Sequence, residues 1–230
     1  MTAPDEVSRV KERYARRRAS HVAEAQARYF HFDYFADAER DLRFAEFVRR
    51  RFDDLGPRRV LEIGAGSGRN LLLFRKLGVR WENLYANELL EEREDELRYN
   101  LPGGHVLLGD ASALAVSTRF DIIVQSTVFT SILDDEFKQK LARKLLSLLT
   151  EDGVILWYDF KFDNPSNPDV KGIGRRELRR LFADAASIDI RSATLAPPIG
   201  RRVGAWYGVL NTFAPFLRTH LVAEVSSVTN

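Results

Sequence analysis

Residues 60–68 read Val60-Leu61-Glu62-Ile63-Gly64-Ala65-Gly66-Ser67-Gly68. Four residues rich in aliphatic side chains run into three glycines spaced two apart, the pattern of a buried strand ending in a tight turn. Glycine reaches backbone conformations closed to other residues, so the next helix can present its free N–H groups to a ligand. The spacing departs from the dinucleotide fingerprint, whose third glycine falls one position later, where Arg69 stands. No Gly-Lys-Ser/Thr occurs, which excludes a phosphate-loop NTPase. Glu62, two residues before the first glycine, would repel a pyrophosphate; a cationic, adenosine-bearing ligand suits the turn better.

Outward from this turn, apolar runs of strand length alternate with helix-like segments. Asn83–Asn87, His105–Leu108, Phe120–Val124 and Gly153–Tyr158 read as further strands, with helices over Asn70–Leu77, Leu89–Tyr99 and 134–149. This alternation implies βαβ crossovers and a mainly parallel sheet, an α/β fold. Beyond the loop Asp163–Gly174, Arg175–Ala183 reads as a short helix, and Ser187–Thr194 and Leu221–Val225 as closing strands. Between those strands, 195–220 opens with Pro197-Pro198 and runs through Trp206, Tyr207, Phe213 and Phe216, suiting a homodimer interface or a substrate wall. Residues 6–51 hold no Pro or Gly and read as helix, in one piece or in two broken near Tyr29–Phe35. Leu42, Phe44, Phe47 and Val48 are expected along one stripe of it.

The 230 residues suffice for one core, expected as a single domain. Within it, 1–55 form an N-terminal cap or lid, 56–160 a cofactor-binding half, and 161–230 a substrate-side half with the closing strands. Lys+Arg 35 against Asp+Glu 33 leaves a net charge of +2, which makes a nucleic-acid partner a poor expectation. The total conceals a local field, since 171–202 carries eight basic and three acidic residues. Cys 0 excludes disulfides, Cys-ligated zinc, iron–sulfur clusters and a thiol nucleophile, and four His leave little for a His-rich metal centre. No apolar run approaches the roughly 18 residues of a membrane span. The opening MTAPDEVSRVKERYARRR has no apolar core of a secretory signal, so a cytoplasmic location is expected.

Acids recur at the carboxyl ends of the next two strands: Glu88 in Leu84-Tyr85-Ala86-Asn87-Glu88, and Asp110 in Leu108-Gly109-Asp110-Ala111. Glycine turn and acids together resemble the class I S-adenosylmethionine-dependent methyltransferases, closely over about 58–160 and more loosely over 187–194 and 221–225. The resemblance implies a Rossmann-like fold: a seven-stranded, mostly parallel sheet with helices on both faces and an N-terminal helical lid. It implies S-adenosylmethionine as cofactor, released as S-adenosylhomocysteine. Glu62, Gly64, Ala65, Gly66, Gly68 and Asn70 would then underlie the methionine part. Glu88 with Leu89 would meet the ribose hydroxyls, and Asp110 with Ala111 the adenine, although Asp110 also suits a helix cap. Gln125 would border the methionine moiety, and Thr127 and Phe129 the substrate. Glu88 stands where Asp is more usual in the family. The segments Trp157-Tyr158-Asp159-Phe160, Asn164-Pro165, Asn167-Pro168-Asp169-Val170 and Thr194-Leu195-Ala196-Pro197-Pro198 resemble a bacterial subgroup associated with polysaccharide or secondary-metabolite biosynthesis.

Methyl transfer is an in-line displacement, and a hydroxyl acceptor needs a base to take its proton. Asp159, at the end of the fifth strand, and His31, within the aromatic cluster, are the candidate bases. His105 and His220 read as surface residues at strand starts. Tyr14 and Arg18, four apart on a helical face, and Arg201-Arg202 on a Gly/Pro-rich loop are candidates for holding a substrate anion. Asp159 and Asp163 could invite Mg²⁺, but turn capping accounts for Asp163, and no metal is expected. The expected reaction is O-methylation of a small-molecule, carbohydrate or carrier-linked hydroxyl. Amine N-methylation, an RNA or protein acceptor, and a cofactor-binding scaffold stand as alternatives. An RNA amine acceptor is disfavoured because Ser126-Thr127-Val128-Phe129 replaces the Asn/Asp-Pro-Pro-Tyr/Phe motif after the fourth strand.

Overall fold

The computed structural model describes residues 5–21, 32–164 and 167–227, with side chains of the first segment described through Arg16. Its sheet has seven strands in the order β3-β2-β1-β4-β5-β7-β6. These are β1 Val60–Ile63, β2 Leu84–Glu88, β3 His105–Leu108, β4 Phe120–Ser126, β5 Leu149–Phe160, β6 Ser187–Leu195 and β7 Arg218–Ser226. β1 pairs in parallel with β2 on one side and β4 on the other, with Ile63 opposite both Asn87 and Gln125. Strand order therefore reverses between β1 and β4, and a crevice opens at their carboxyl ends. Only β7 runs antiparallel, between β5 and β6.

Successive strand residues point to opposite faces, and both faces are covered. Leu61, Ile63, Ile123, Ile155 and Trp157 pack with Leu141 and Leu145 of α5 (Asp135–Ser147) and Leu178 of α6 (Arg175–Leu181). Val60, Ile122, Val124, Val154 and Leu156 meet Phe44, Phe47 and Val48 of α2 (Phe32–Arg51). Phe74 of α3 (Leu71–Lys76) and Leu97 of α4 (Glu94–Asn100) complete that layer. Each such side chain, fully buried, contributes about 1.5–3 kcal/mol of transfer free energy. α5 starts where Asp134 caps it, accepting from the Phe137 N–H at 2.9 Å, with Asp135 and Glu136 beside the positive helix end.

Four local expectations are corrected. Leu42 leaves the α2 stripe and is 59% exposed, because it lies about 160° around the helix from Phe44. β5 begins at Leu149 rather than Gly153, its early residues accommodated by a register shift against β4. The stretch after β6 contains two short helices, α7 (Pro197–Val203) and α8 (Tyr207–Phe213), the first started by its proline pair. His220 is buried rather than on the surface, stacked on Tyr158 at 4.8 Å.

The N-terminal helix α1 (Glu6–His21) is anchored over the carboxyl edge. Buried Glu6 accepts from the Leu133 N–H at 2.9 Å and from Arg13 Nη2 at 2.6 Å. Arg13, also buried, donates to the Ser131 carbonyl at 2.8 Å. Arg9 Nε also pairs with Glu6 at 2.7 Å, and this buried cluster fixes the register of the helix.

Candidate functional site

The glycine turn holds φ values of +63° at Gly64, +60° at Gly66 and +78° at Gly68, all in the left-handed region. A Cβ on Gly64 would fall 2.7 Å from Val128 Cγ2, so the close approach of β1 to the β4 loop also requires glycine. The Ala65 N–H binds the Asn87 carbonyl at 2.9 Å, joining the turn to β2. Glu88, buried at the end of β2, accepts from the Gly66 N–H at 2.8 Å and the Leu90 N–H at 2.9 Å. Its Oε1 keeps a second lone pair for a ribose hydroxyl, while Oε2 also takes a long contact of 3.5 Å from Arg93 Nη1. Asn87 donates to the carbonyls of Leu107 and Gly109, aligning the ends of β2 and β3. Asp110 accepts from the Ser112 N–H at 2.8 Å and the Ser112 hydroxyl at 2.7 Å, so it caps the turn Ala111–Ala113 while facing the crevice.

Glu62 is buried at the base of the turn. Asn70 Nδ2 donates to its Oε1, and Oε2 has no hydrogen-bond partner among the described residues. Burial pushes this carboxyl up to about 8, aided by the Glu88 and Asp41 charges and opposed by Asn70 and Arg40. A buried, half-satisfied carboxyl of this kind calls for a cationic donor.

The crevice is a cleft of about 640 Å³ with Gly64, Glu88, Leu89, Asp110, Ala111 and Val128 on its floor and sides. Val7, Val10 and Tyr14 of α1 cover it. The Arg93 guanidinium lies 5.7 Å from the Tyr14 ring and 3.5 Å from Glu88. Tyr14 and Ser131 also line a second pocket of about 790 Å³, with Thr127, Thr130, Phe160, Phe162, Asn164 and Asn167. The described lining residues of that pocket carry no formal charge. Thr127, at the junction, holds φ +58°, a strained conformation for a β-branched residue.

A family model described as a methyltransferase domain matches residues 34–198. The chain belongs to this family. It is an S-adenosylmethionine-dependent methyltransferase. Similar folds include magnesium protoporphyrin IX methyltransferase from Synechocystis PCC 6803, at 15% identity over 99% of this chain and 100% of that one, TM-score 0.66. A TehB-like methyltransferase from Corynebacterium glutamicum matches at 16% identity over 96% and 98% of the two chains, TM-score 0.58. The glycopeptide N-methyltransferase MtfA matches at 18% identity over 82% and 94%, TM-score 0.52. These similarities show the fold. No curated protein matches the chain significantly.

The residues of the methyltransferase fit its cofactor. Among the described residues Glu62 Oε2 lacks a donor of the kind an α-ammonium would supply, and Glu88 Oε1 has a spare acceptor site for a ribose hydroxyl. Gly64, Glu88, Leu89, Asp110 and Ala111 line the cleft, whereas Ala65, Gly66, Gly68 and Asn70 build the turn, and Glu62, bonded to Asn70, is buried behind the cleft and does not line it. Gln125 is fully buried and braces the β4 end, accepting from the Val128 N–H at 3.2 Å.

On the acceptor side, Thr127 and Tyr14 lie on the wall, but Phe129 does not. It is fully buried against Trp157 at 4.7 Å and Phe182 at 6.2 Å, a core residue. Asp159 is also fully buried and lines neither pocket. It accepts from the Thr130 hydroxyl at 2.6 Å, the Thr130 N–H at 3.2 Å and the Phe160 N–H at 3.0 Å. Burial pushes its carboxyl up to about 7 against those hydrogen bonds. Arg201 and Arg202 are exposed on α7 and line neither pocket. His31 and the Arg18 side chain lie outside the described residues. Asp163 accepts from the Gly172 N–H at 2.8 Å, and no cluster of three metal-ligating side chains occurs among the described residues.

Sequence reasoning expected an N-terminal lid with Tyr14 at the site but missed Thr130, Arg93 and the part of Val7 and Val10 in the covering face of α1. The spacing of Val7, Val10 and Tyr14, three and then four residues apart, was the available signal for that face.

Proposed function

We propose that the enzyme methylates a hydroxyl of a small, neutral, ring-bearing acceptor seated between Phe160, Phe162 and the two asparagines. When bound, S-adenosylmethionine supplies an electrophilic methyl group on a sulfonium sulfur. Glu62 with Asn70 holds its amino-acid end, Glu88 the ribose, and Leu89, Asp110 and Ala111 the adenine. Asn164 and Asn167 are side chains that recognise hydroxyls without charge, and the two phenylalanines cover an apolar ring face.

One observation carries the choice of a hydroxyl: the 2.6 Å contact between Thr130 Oγ1 and Asp159 Oδ1 behind the pocket wall. The acceptor oxygen would bond the methyl carbon as the carbon–sulfur bond breaks with its electron pair left on sulfur, and the acceptor's proton passes to Thr130 Oγ1. The Thr130 proton moves in turn to Asp159 Oδ1. Asp159 thus serves as the base through Thr130, and a carboxyl held at about 7 is matched to that task. Turnover should rise with pH through about 7. Thr130→Val should lower kcat at least about 100-fold and flatten the profile, with S-adenosylhomocysteine affinity unchanged. Full turnover by Thr130→Val defeats the relay.

The uncharged wall favours a second reading, an amine acceptor, which attacks without a base; MtfA is named for N-methylation. In that case Thr130→Val leaves kcat intact. A screen with radiolabelled methyl donor over sugar nucleotides, phenolic metabolites and amines identifies the acceptor.

A further inference from the structure

Residues 196–217 leave β6 at Leu195 and enter β7 at Arg218, and β7 meets the carboxyl end of β5 through the pair Phe160 and His220. The segment therefore sits at the same edge of the sheet as both pockets. Its inner side is packed. The Phe35 ring stacks on Tyr207 at 5.3 Å, and Phe32 meets Tyr207 at 6.1 Å. Phe32 also fills the space beside Gly200, where a Cβ would fall 2.1 Å from the ring. The outer side is bare: Phe213 is 81% exposed, Phe216 80%, Trp206 70% and Val209 49%. Three of these four converge with Arg202 on one open groove of about 640 Å³. A contiguous patch of large apolar side chains held in water marks a contact surface.

Charge carried by the segment itself has one sign. Residues 190–223 contain Arg191, Arg201, Arg202 and Arg218 and no Asp or Glu. Arg201 and Arg202 are exposed at the end of α7. The acid that faces them is Asp33 of α2, half-buried and within the field of Arg201.

We infer that this face docks on a bilayer containing anionic phospholipids. Trp206, Phe213 and Phe216 enter the headgroup region, and Arg201 and Arg202 meet the phosphates. Aromatic rings with adjacent arginines are the composition that the membrane interface accepts. Two copies of the chain meeting here about a two-fold axis would bring like-charged arginines together, whereas anionic lipid supplies the missing charge. The association is peripheral, since among the described residues no helix is long and apolar enough to cross a membrane. Docked this way, the edge of the sheet that carries both pockets is turned towards the lipid.

Flotation of the full chain with vesicles of phosphatidylcholine, alone or with one quarter phosphatidylglycerol, tests this. Each arginine at an anionic surface is worth about fivefold, so with two of them the chain should partition about 25-fold more strongly onto the mixed vesicles and weaken in high salt. Trp206 should report insertion by a blue-shifted emission that Trp206→Phe removes, because Trp157 is already buried and Trp81, half-buried under Arg75 just ahead of β2, lies at the opposite edge of the sheet. Arg201→Gln with Arg202→Gln should reduce binding to the level of neutral vesicles. Phe213→Ser with Phe216→Ser should reduce it at least about tenfold while S-adenosylhomocysteine affinity, which certifies the fold, is unchanged. Three results would overturn the inference. These are no partition onto mixed vesicles, equal partition onto both kinds, or lipid-free dimerisation that the Phe213/Phe216 variant abolishes.

Discussion

Binding of S-adenosylhomocysteine at pH 7 should expel close to one proton, with Glu62 as the source. Its carboxyl is held at about 8 because it is buried, and its Oε2 has no donor among the described residues. At pH 7 such a group is about nine-tenths protonated. An ammonium placed against Oε2 favours the carboxylate, so the proton leaves on binding. The ligand's own α-amino group, with an ordinary pKa near 8, takes up about 0.1 proton at that pH. The net release is about 0.8 proton per ligand. Titration calorimetry in buffers of different ionisation enthalpy reads this number as a slope. Glu62→Gln keeps the shape and the Asn70 contact but has no proton to lose, so its slope should collapse to the small uptake of the ligand. A wild-type slope near zero, or the same slope in the variant, refutes the reasoning. The sign for folding is opposite to that of a salt-bridged carboxylate. The folded value lies above the unfolded one, so unliganded stability falls as pH rises from about 4.5 to about 8.

Other consequences can be checked separately. Gly64→Ala forces a left-handed residue and a 2.7 Å contact with Val128, and should lower stability by at least about 1–2 kcal/mol in urea unfolding. Adding Val128→Ala should recover the contact portion alone. Arg13→Ala leaves Glu6 with Arg9 and the Leu133 N–H but removes the buried tie to the Ser131 carbonyl, and should weaken helix docking by about 1–3 kcal/mol. Amide exchange over residues 6–16 then rises and S-adenosylhomocysteine binds more weakly; unchanged protection would contradict the latch. Burial pushes His220 down to about 3, below its unfolded value of 6.5, so its contribution is present above 6.5 and lost as pH falls towards 3. Relative to His220→Phe, wild-type stability should therefore fall by up to about 1.4 kcal/mol per pH unit across that window, measured by denaturant midpoints.

The parallel sheet was legible because each strand is short, apolar and punctuated, with the glycine turn fixing where β1 stops. The ends of β1, β2 and β3 were legible for the same reason: Glu62, Glu88 and Asp110 sit at strand boundaries that local pattern marks. Asp159 was placed correctly at the end of β5, yet its enclosure depends on the turn Phe129–Ser131 folding back over it. That contact joins residues 29 apart, and no local pattern encodes it. Phe129 failed for the same reason, since its neighbours Trp157 and Phe182 come from distant segments. Leu42 shows a different failure, in which apolar character was taken for burial although helical geometry turns it outward. The Arg201-Arg202 pair looked like an anion clamp for the acceptor because sequence shows charge and turn residues but not distance from a pocket.

Tyr14 belongs to the walls of both pockets, and this imposes an order on turnover. With the cofactor in the cleft that Val7, Val10 and Tyr14 cover, its departure should require α1 to lift, and lifting α1 would dismantle part of the acceptor's seat. The donor should therefore enter first and its spent form depart last. In steady-state terms, S-adenosylhomocysteine should compete with the donor and act as a noncompetitive inhibitor towards the acceptor. A helix expected only as a cap or lid would thereby set the kinetic sequence of the whole catalytic cycle.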